Sequence, residues 1–532
     1  MGKNKTIGLS LPETKFGKSI KSGAVSLVED GVVKFASSEE RFTRKKYDSG
    51  FKQSLQACLS EAGVVNISEM DRVVASSCCE PVRDPEEIAS ENYELRADSL
   101  KVIPHHLSHA YSAYYPSAFN QALIIVMDAG GNVLESVEID STKETPWTDY
   151  SREQFTVYEG RGSSINRMER DFTKPKDAGF GEVYRAFTYY LGWPSYTYSA
   201  NTMALAAFGD PNKFSNLNLF KRDNGRLVSK VENDPSRPIE MVKKTAKRQG
   251  VNIPPPRQSF AKYPPEDLPN EYSHLAACLQ YEFENALTEK VKYLIGKTGI
   301  TNLCIAGGVG LNCVANRKVL DKTKISDIFI QPAAGDDGQA LGNALFGHQD
   351  VYSEDTKNQE EKFLPYLGPT YDLSKESLQD RNYFQDALTQ HNLSFESIDN
   401  PAEKASKMIA GGSVVAWFQG RSEYGPRALG NRSILADPRS ADNKAKCHSI
   451  KEHREPHRPF SPSVIYSQAQ NFFAVERETP YMIIVSDVMS DKKEEIPAVV
   501  HADGTSRLQT VTRKDNARFY ALLQEFYTNT GI

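Results

Sequence analysis

The chain opens with three apolar runs, Thr6–Leu11, Ala24–Val28 and Val32–Ala36, the last two separated by Glu29-Asp30-Gly31. Asp-Gly between apolar runs predicts a tight hairpin, because glycine accepts and aspartate tolerates the positive φ of the turn. Leu55, Cys58, Leu59 and Ala62 recur at helical spacing ahead of a strand at Val73–Ser77, which makes a β-α-β progression. A further apolar run, Leu123–Met127, ends in Asp128-Ala129-Gly130. Between residues 131 and 270 the pattern weakens. Polar, proline-bearing stretches such as Thr145–Tyr150 and Pro254–Pro256 surround two helical runs, Gly181–Leu191 and Asn201–Ala207, and this composition predicts an insertion whose loops frame a binding surface.

Order returns with a long amphipathic helix, His274–Ile295, in which Leu275, Cys278, Leu279 and Phe283 alternate with charge. Strand Asn302–Ala306, turn Gly307-Gly308, helix Asn312–Leu320, strand Asp327–Ile330, loop Gln331–Gly338 and helix Gln339–Phe346 follow. This second β-α-β set mirrors the first and predicts an α/β fold with two related lobes around one cleft. From about 350 to 395 the chain is acidic and polar, the composition of a linker or peripheral layer. A second compact unit begins near Ala402, with strands Ser413–Phe418 and Tyr481–Val485 and a closing helix Asn516–Tyr527. The expected domains are therefore 1–354 and 355–532.

A length of 532 residues agrees with two or three domains. The 64 basic and 69 acidic residues give a net charge of −5, a balance that argues against a nucleic-acid partner, although Arg41–Lys46 forms a local patch suited to phosphate. The apolar runs are strand-sized and too short to cross a bilayer, and the start of the chain leaves no room for a signal peptide's apolar core. Seven scattered cysteines without a CxxC spacing suit core thiols in a reducing cytoplasm.

Three constellations carry candidate chemistry. His105 and His109 lie four apart, so a helix starting there places both on one face. Either they are an exposed helix start, or they are imidazole ligands completed by Asp128 at its strand end and Asp336 from the second lobe. Such mixed nitrogen and oxygen ligation suits iron, manganese or zinc without choosing among them. Gly307 and Gly308, with Asn312 and Asn316, form either a plain tight turn or a nucleotide cradle that faces Gly130 across the cleft. The third constellation is rich in arginine: Arg421, Arg427 and Arg432, with Ser433 beside the last, then Lys451, Arg454 and Arg458, and finally Arg507. Guanidinium groups interleaved with glycine, proline and apolar residues suit a pocket wall for phosphates or a carboxylate-like anion. The residues alone thus indicate a two-domain enzyme with two anion or nucleotide sites.

Several blocks resemble, in order and wording, the ATP-dependent O-carbamoyltransferases of nodulation and antibiotic tailoring. They are Glu39–Lys46, His105–Ala110, Ala306–Cys313, Gln331–Asp336, Gly420–Glu423, Arg427–Ile434, Arg454–Phe460 and Asp503–Thr505. The resemblance spans nearly the whole chain. It implies an N-terminal domain of the Kae1 class, an actin-like two-lobed fold, and a C-terminal domain of the YrdC class with a twisted sheet. In such enzymes the C-terminal domain, through residues matching Arg427 and Arg458, makes carbamoyl adenylate from carbamoyl phosphate and ATP, with Mg2+ accompanying the ATP. The N-terminal domain then passes the carbamoyl group to a hydroxyl of a small-molecule natural product and releases AMP. His105, His109, Asp128 and Asp336 fall on the family's metal positions, with His109 and Asp128 serving the transfer step. Homodimers are common among relatives. Carbamoylation of nitrogen, adenylate transfer to tRNA and a non-catalytic nucleotide-binding module are the competing expectations. The chain departs from the family pattern at three places: Lys21 stands where many relatives have histidine, Ala200-Asn201 replaces a glycine-lysine pair, and Glu452 takes a lysine position with Lys451 displaced by one.

Overall fold

The computed structural model describes residues 4–11, 22–76, 84–89, 99–133, 151–173, 177–223, 225–232, 234, 237–260, 262–352, 362–370, 386, 388–451 and 454–532. Lys21, Glu452, the stretch Thr145–Tyr150 and the expected domain boundary at 354/355 lie outside the described residues.

Strands β1 (Lys5–Ser10), β2 (Ala24–Glu29), β3 (Val32–Ser38), β4 (Arg72–Ser76) and β5 (Leu100–Val102) form one sheet in the order β3-β2-β1-β4-β5. The hairpin at Asp30-Gly31 forms as its sequence requires, with φ of 49° and 77°. Strands β6 (Gln121–Met127), β7 (Glu153–Arg161) and β8 (Ser164–Phe172) form the antiparallel part of a second sheet. A small hairpin, β9 (Phe220–Asp223) with β10 (Arg226–Ser229), precedes β11 (Asn302–Ala306) and β12 (Asp327–Ile330), which complete that sheet in the order β12-β11-β6-β7-β8. Counted along the chain, both sheets have the order third-second-first-fourth-fifth, with antiparallel pairing among the first three strands and parallel pairing beyond. The two lobes are thus topological copies.

This corrects the expectation for residues 131–270. Part of the segment is the β7-β8 hairpin of the second sheet, and Phe180–Tyr190, Ser199–Ala206 and Pro238–Arg248 are helices packed in that lobe's core.

Two helices, His105–Tyr114 and Gln339–Tyr352, lie between the lobes. They meet each other and β1 with almost no separation: a Cβ on Gly342 would come within 1.8 Å of the Ser108 carbonyl oxygen, and one on Gly8 within 2.0 Å of that of Ala340. Close backbone approach fixes the start of one helix over that of the other.

The C-terminal unit is built of small sheets: β13 (Val415–Phe418) with β14 (Arg432–Leu435), β15 (Ser463–Ile465) with β18 (Gln509–Val511), and β16 (Ser486–Asp487) with β17 (Thr505–Ser506). The helices Pro401–Ala410 and Ala517–Thr530 share an apolar cluster around Phe519. The expected strand at Tyr481–Val485 is not one. Met482 takes φ +54°, and Tyr481, Ile483 and Ile484 join the core of the second lobe. Its backbone finds partners there instead of in a ladder: Asn316 Nδ2 donates to the Ile483 carbonyl at 2.9 Å. The apolar run is explained by docking between units. Among the described residues no helix is long and apolar enough to cross a membrane, and the five described cysteines are free and buried.

Candidate functional site

Helix His105–Tyr114 begins after Pro104 without a side-chain cap of its own. Asn132, four residues beyond Asp128, supplies one from outside, its Oδ1 accepting from the His105 N–H at 2.7 Å. The end of β6 and the start of this helix are thereby locked together. Asp336 opens a short 3₁₀ turn that leads into helix Gln339–Tyr352.

The result is a compact donor set. His105 Nε2 lies 3.5 Å from Asp128 Oδ2 and 3.5 Å from Asp336 Oδ1, and His109 Nε2 lies 3.4 and 3.6 Å from the same atoms. All four ligand atoms fall within 4.8 Å of one another. Bonds of about 2.0–2.2 Å in a tetrahedral array place donors about 3.3–3.6 Å apart, so the spacing fits a single divalent cation. Both imidazoles are fully buried, and two carboxylates supply the negative charge that such an ion requires.

Gln339 forms the surrounding layer. Its Nε2 donates to Asp336 Oδ1 at 3.0 Å, and its Oε1 accepts from Ser76 Oγ at 2.6 Å. Burial opposes a charged His109, but its hydrogen bonds to the Asp128 and Asp336 carboxylates outweigh it and raise the pKa. Burial likewise opposes a charged Asp128, yet contacts with His105 and His109 hold its carboxyl well below the usual range. The glycine turn faces this cluster: the Gly308 N–H points to Asp128 Oδ2 at 3.5 Å. Gly307 holds the turn against β6 with φ +88°, where a Cβ would meet the Met127 carbonyl oxygen at 2.0 Å. Gly130 is buried just past Asp128. Asn312 and Asn316 are both engaged in structure. Asn312 caps helix Cys313–Lys322 and bonds Gln280, while Asn316 ties Gly310 to Ile483.

A second, cationic cluster lies where the C-terminal unit meets the lobes. Burial lowers the pKa of Arg427 to about 9, helped by Arg507 and Arg458, and that of Arg454 to about 9, helped by Arg458 and Arg507. Burial and neighbouring guanidinium groups depress Lys451 and Arg458 as well, and burial depresses Arg507. Glu40 and Glu455 are the carboxylates that offset this charge, Glu455 lying 3.9 Å from Arg458. The buried Nε atoms of Arg427 and Arg454 have no protein partner. Several like charges held together with unpaired donors are an arrangement that suits a polyanion.

The other nominated residues are placed elsewhere. Arg421 bridges to the first lobe, through Glu61 at 2.9 Å and the Lys34 carbonyl at 2.9 Å. Arg432 stacks 3.6 Å over Phe418 and donates to backbone carbonyls, and Ser433 accepts from the Gly430 N–H. Residues that the arginine pattern did not include also enter the cluster. Lys46 of the first lobe feels the charges of Arg458 and Arg427, and Lys444 and His448 feel that of Arg454. Burial and these cations hold His448 near 4, so its imidazole is neutral at pH 7.

The two clusters are neighbours. Asp337 follows Asp336, accepts from Ser38 Oγ at 3.2 Å, and is pushed up to about 6 by burial and then by Glu40. Tyr47 feels the charges of Asp337, Arg427 and Arg458 together. The loop carrying Arg427 is bolted to the metal-cluster loop, with the Tyr424 hydroxyl donating to the Asp337 carbonyl.

Comparison with known proteins adds the following. Residues 86–345 match the carbamoyltransferase N-terminus family model and residues 406–532 the carbamoyltransferase C-terminus model. The nodulation protein NolNO of Sinorhizobium fredii is 32% identical, covering 98% of this chain and 74% of its own. An uncharacterised Synechocystis protein, sll1178, is 32% identical over 96% of this chain and 88% of its own. A 3'-hydroxymethylcephem-O-carbamoyltransferase of Amycolatopsis lactamdurans is 33% identical over 43% of this chain and 40% of its own. Among solved structures, full-length HypF in its phosphate- and nucleotide-bound form aligns over 66% of this chain and 47% of its own at 11% identity, with a TM-score of 0.39. That likeness is too loose to bear on chemistry.

Proposed function

Because the chain belongs to the carbamoyltransferase family, we propose that it is an ATP-dependent O-carbamoyltransferase working in two steps at its two clusters. In this reading residues 1–354 are the Kae1-like transfer domain and 355–532 the YrdC-like activating domain. The observation that carries the reading is the pairing of a metal-ligand set with an arginine cluster that carboxylates only partly offset, in adjoining positions.

At the cationic cluster, Arg427, Lys451, Arg454, Arg458 and Arg507 hold carbamoyl phosphate and the phosphates of Mg2+-bound ATP, which would otherwise repel one another. Water releases phosphate from carbamoyl phosphate and leaves carbamate. A carbamate oxygen then attacks the α-phosphorus of ATP, pyrophosphate departs, and carbamoyl adenylate remains. At the second site the acceptor hydroxyl oxygen attacks the carbonyl carbon, the bond to the adenylate oxygen breaks, AMP leaves and the hydroxyl proton is released. A divalent cation held by His105, His109, Asp128 and Asp336 would act as a Lewis acid toward the negative charge developing in that step. The Gly308 N–H faces the same place and would stabilise charge without reorganising.

The acceptor is a hydroxylated small molecule, in line with the cephem-tailoring relative. Incubating the full chain with ATP, Mg2+ and carbamoyl phosphate should release pyrophosphate. Folded protein that releases none would overturn the proposal.

A further inference from the structure

Three arginines of the cationic cluster hang on one loop, residues 454–461. Arg454 folds back over it, its guanidinium donating to the Pro459 carbonyl at 2.6 Å and lying 4.7 Å from the Phe460 ring centroid. Arg458 stands two residues before Phe460, and Ser461 Oγ accepts from Arg507 Nε at 3.0 Å. Whatever fixes this irregular segment therefore fixes three guanidinium groups at once, and the cost of ordering it must be met by contacts outside it.

His457, in the middle of the loop, makes those contacts with the second lobe. The residue is only 2% exposed. Its ring centroid lies 6.0 Å from that of Trp193 and 5.9 Å from that of Tyr263, which are themselves 5.4 Å apart, so the imidazole completes a box of three rings. The lobe holds its side of the box in place: the Tyr263 hydroxyl donates to the Leu191 carbonyl at 2.7 Å, and the Arg257 guanidinium lies 4.6 Å over the Tyr263 ring. His457 Nε2 is 3.3 Å from the carbonyl oxygen of Asn201 on helix Ser199–Ala206. A carbonyl oxygen only accepts, and burial holds the imidazole near 4 and hence neutral at pH 7, so Nε2 carries the proton and donates. Trp193, Tyr263 and Asn201 belong to the lobe assigned to transfer, whereas His457 directly precedes Arg458 of the activating cluster.

Resting on the two-step reading above, we infer that His457 is a positioning residue whose docking in the Trp193–Tyr263 box of the second lobe completes the activating site on the C-terminal unit. Docked, the loop presents Arg454, Arg458 and Arg507 as one preorganised anion site. Undocked, the three cations have no reason to stay together, because like charges separate when no anion holds them. Activation is thereby confined to chains whose activating unit is seated on the lobe that consumes the activated carbamoyl group, which limits its loss to water. Removing the clamp lowers the fraction of chains in the competent arrangement. Apparent affinity for the anionic substrate falls by that fraction, while saturating substrate restores the arrangement and with it the rate.

The test uses the full chain with ATP and Mg2+, and follows the rate of the first-turnover pyrophosphate burst against carbamoyl phosphate concentration. A clamp that leaves one chain in ten docked raises the half-saturating concentration about 10-fold, and this is the shift expected of His457→Ala, with the maximum rate within ~3-fold of wild type. Trp193→Leu, which alters the lobe's side of the box and no residue of the loop, should show the same pattern, so either variant that folds carries the test. The double variant should be no weaker than the weaker single one by more than ~2-fold, because both remove one interaction. His457→Phe keeps the ring in the box and should stay within ~3-fold of wild type. Burst amplitudes that fall while the half-saturating concentration stays put would show a merely structural role and overturn the inference, as would effects of the two single variants that multiply. A wild-type chain that releases no pyrophosphate would instead overturn the two-step reading itself.

Discussion

Arg427→Met separates stability from function at the cationic cluster. The guanidinium pKa of about 9 lies about 3.5 pH units below the ordinary value, and at 1.36 kcal/mol per unit its charged form costs the fold up to about 5 kcal/mol. Relaxation and solvent reduce this, so about 2–3 kcal/mol is a reasonable working value. A base whose folded pKa is depressed destabilises the fold while protonated. Wild-type stability should therefore recover as pH rises through 9, and the gap to the variant should narrow there. Methionine keeps the stem and discards the charge, so the ligand-free variant should melt higher than wild type at pH 7. Pyrophosphate should raise the melting temperature of wild type more than that of the variant, because the anion is what neutralises the cluster. The variant's own pyrophosphate release should fall about 10²–10³-fold, the usual loss for one preorganised donor to a developing charge. Thermal scans with and without pyrophosphate, alongside a coupled pyrophosphate assay, measure all of this. A variant less stable than wild type by 1 kcal/mol or more would show that Arg427 is held by protein partners and is not poised for an anion.

Other expectations follow from single side chains. Asn316→Ala leaves the Gly310 and Ile483 carbonyls without their shared donor and should cost about 1–3 kcal/mol, read from denaturant unfolding. Asp337 has a raised folded pKa, about 6, so the stability tied to its neutral form is present below about pH 4 and lost as pH rises through 6. Asp337→Asn should accordingly match wild type near pH 4 and exceed it by about 1–3 kcal/mol at pH 8 in chelator-treated protein, followed by melting across that range.

Local signals carried much of the fold. Asp30-Gly31 dictates its hairpin, and the strand–glycine-turn–helix run from Asn302 onward is readable from periodicity alone. The β7-β8 hairpin was not readable. β8 is a largely exposed strand, Ser164–Phe172, with charges at alternating and adjacent positions, while β7 buries Glu153 and Gln154 among apolar neighbours. Its pairing is set by β6, far away in sequence. Tyr481–Val485 misled for the opposite reason, since an apolar run says that a segment is buried but not against what.

At the site, the four-residue spacing of His105 and His109 was legible, whereas Asp336 arrives from more than 200 residues away and could be nominated only through the expectation of two lobes around one cleft. Arg421, Arg427 and Arg432 look alike in sequence. Only the packing distinguishes guanidinium groups spent on carbonyls and Glu61 from one whose Nε has no partner.

The central claim is the division of labour between the clusters, and a first-turnover pyrophosphate measurement on His109→Ala and Arg458→Ala, with metal content determined on both proteins, tests it most directly. His109→Ala should lose bound metal and still give the pyrophosphate burst, while Arg458→Ala should keep its metal and give none. Equal loss of the burst in both folded variants would contradict the assignment of activation and transfer to separate sites.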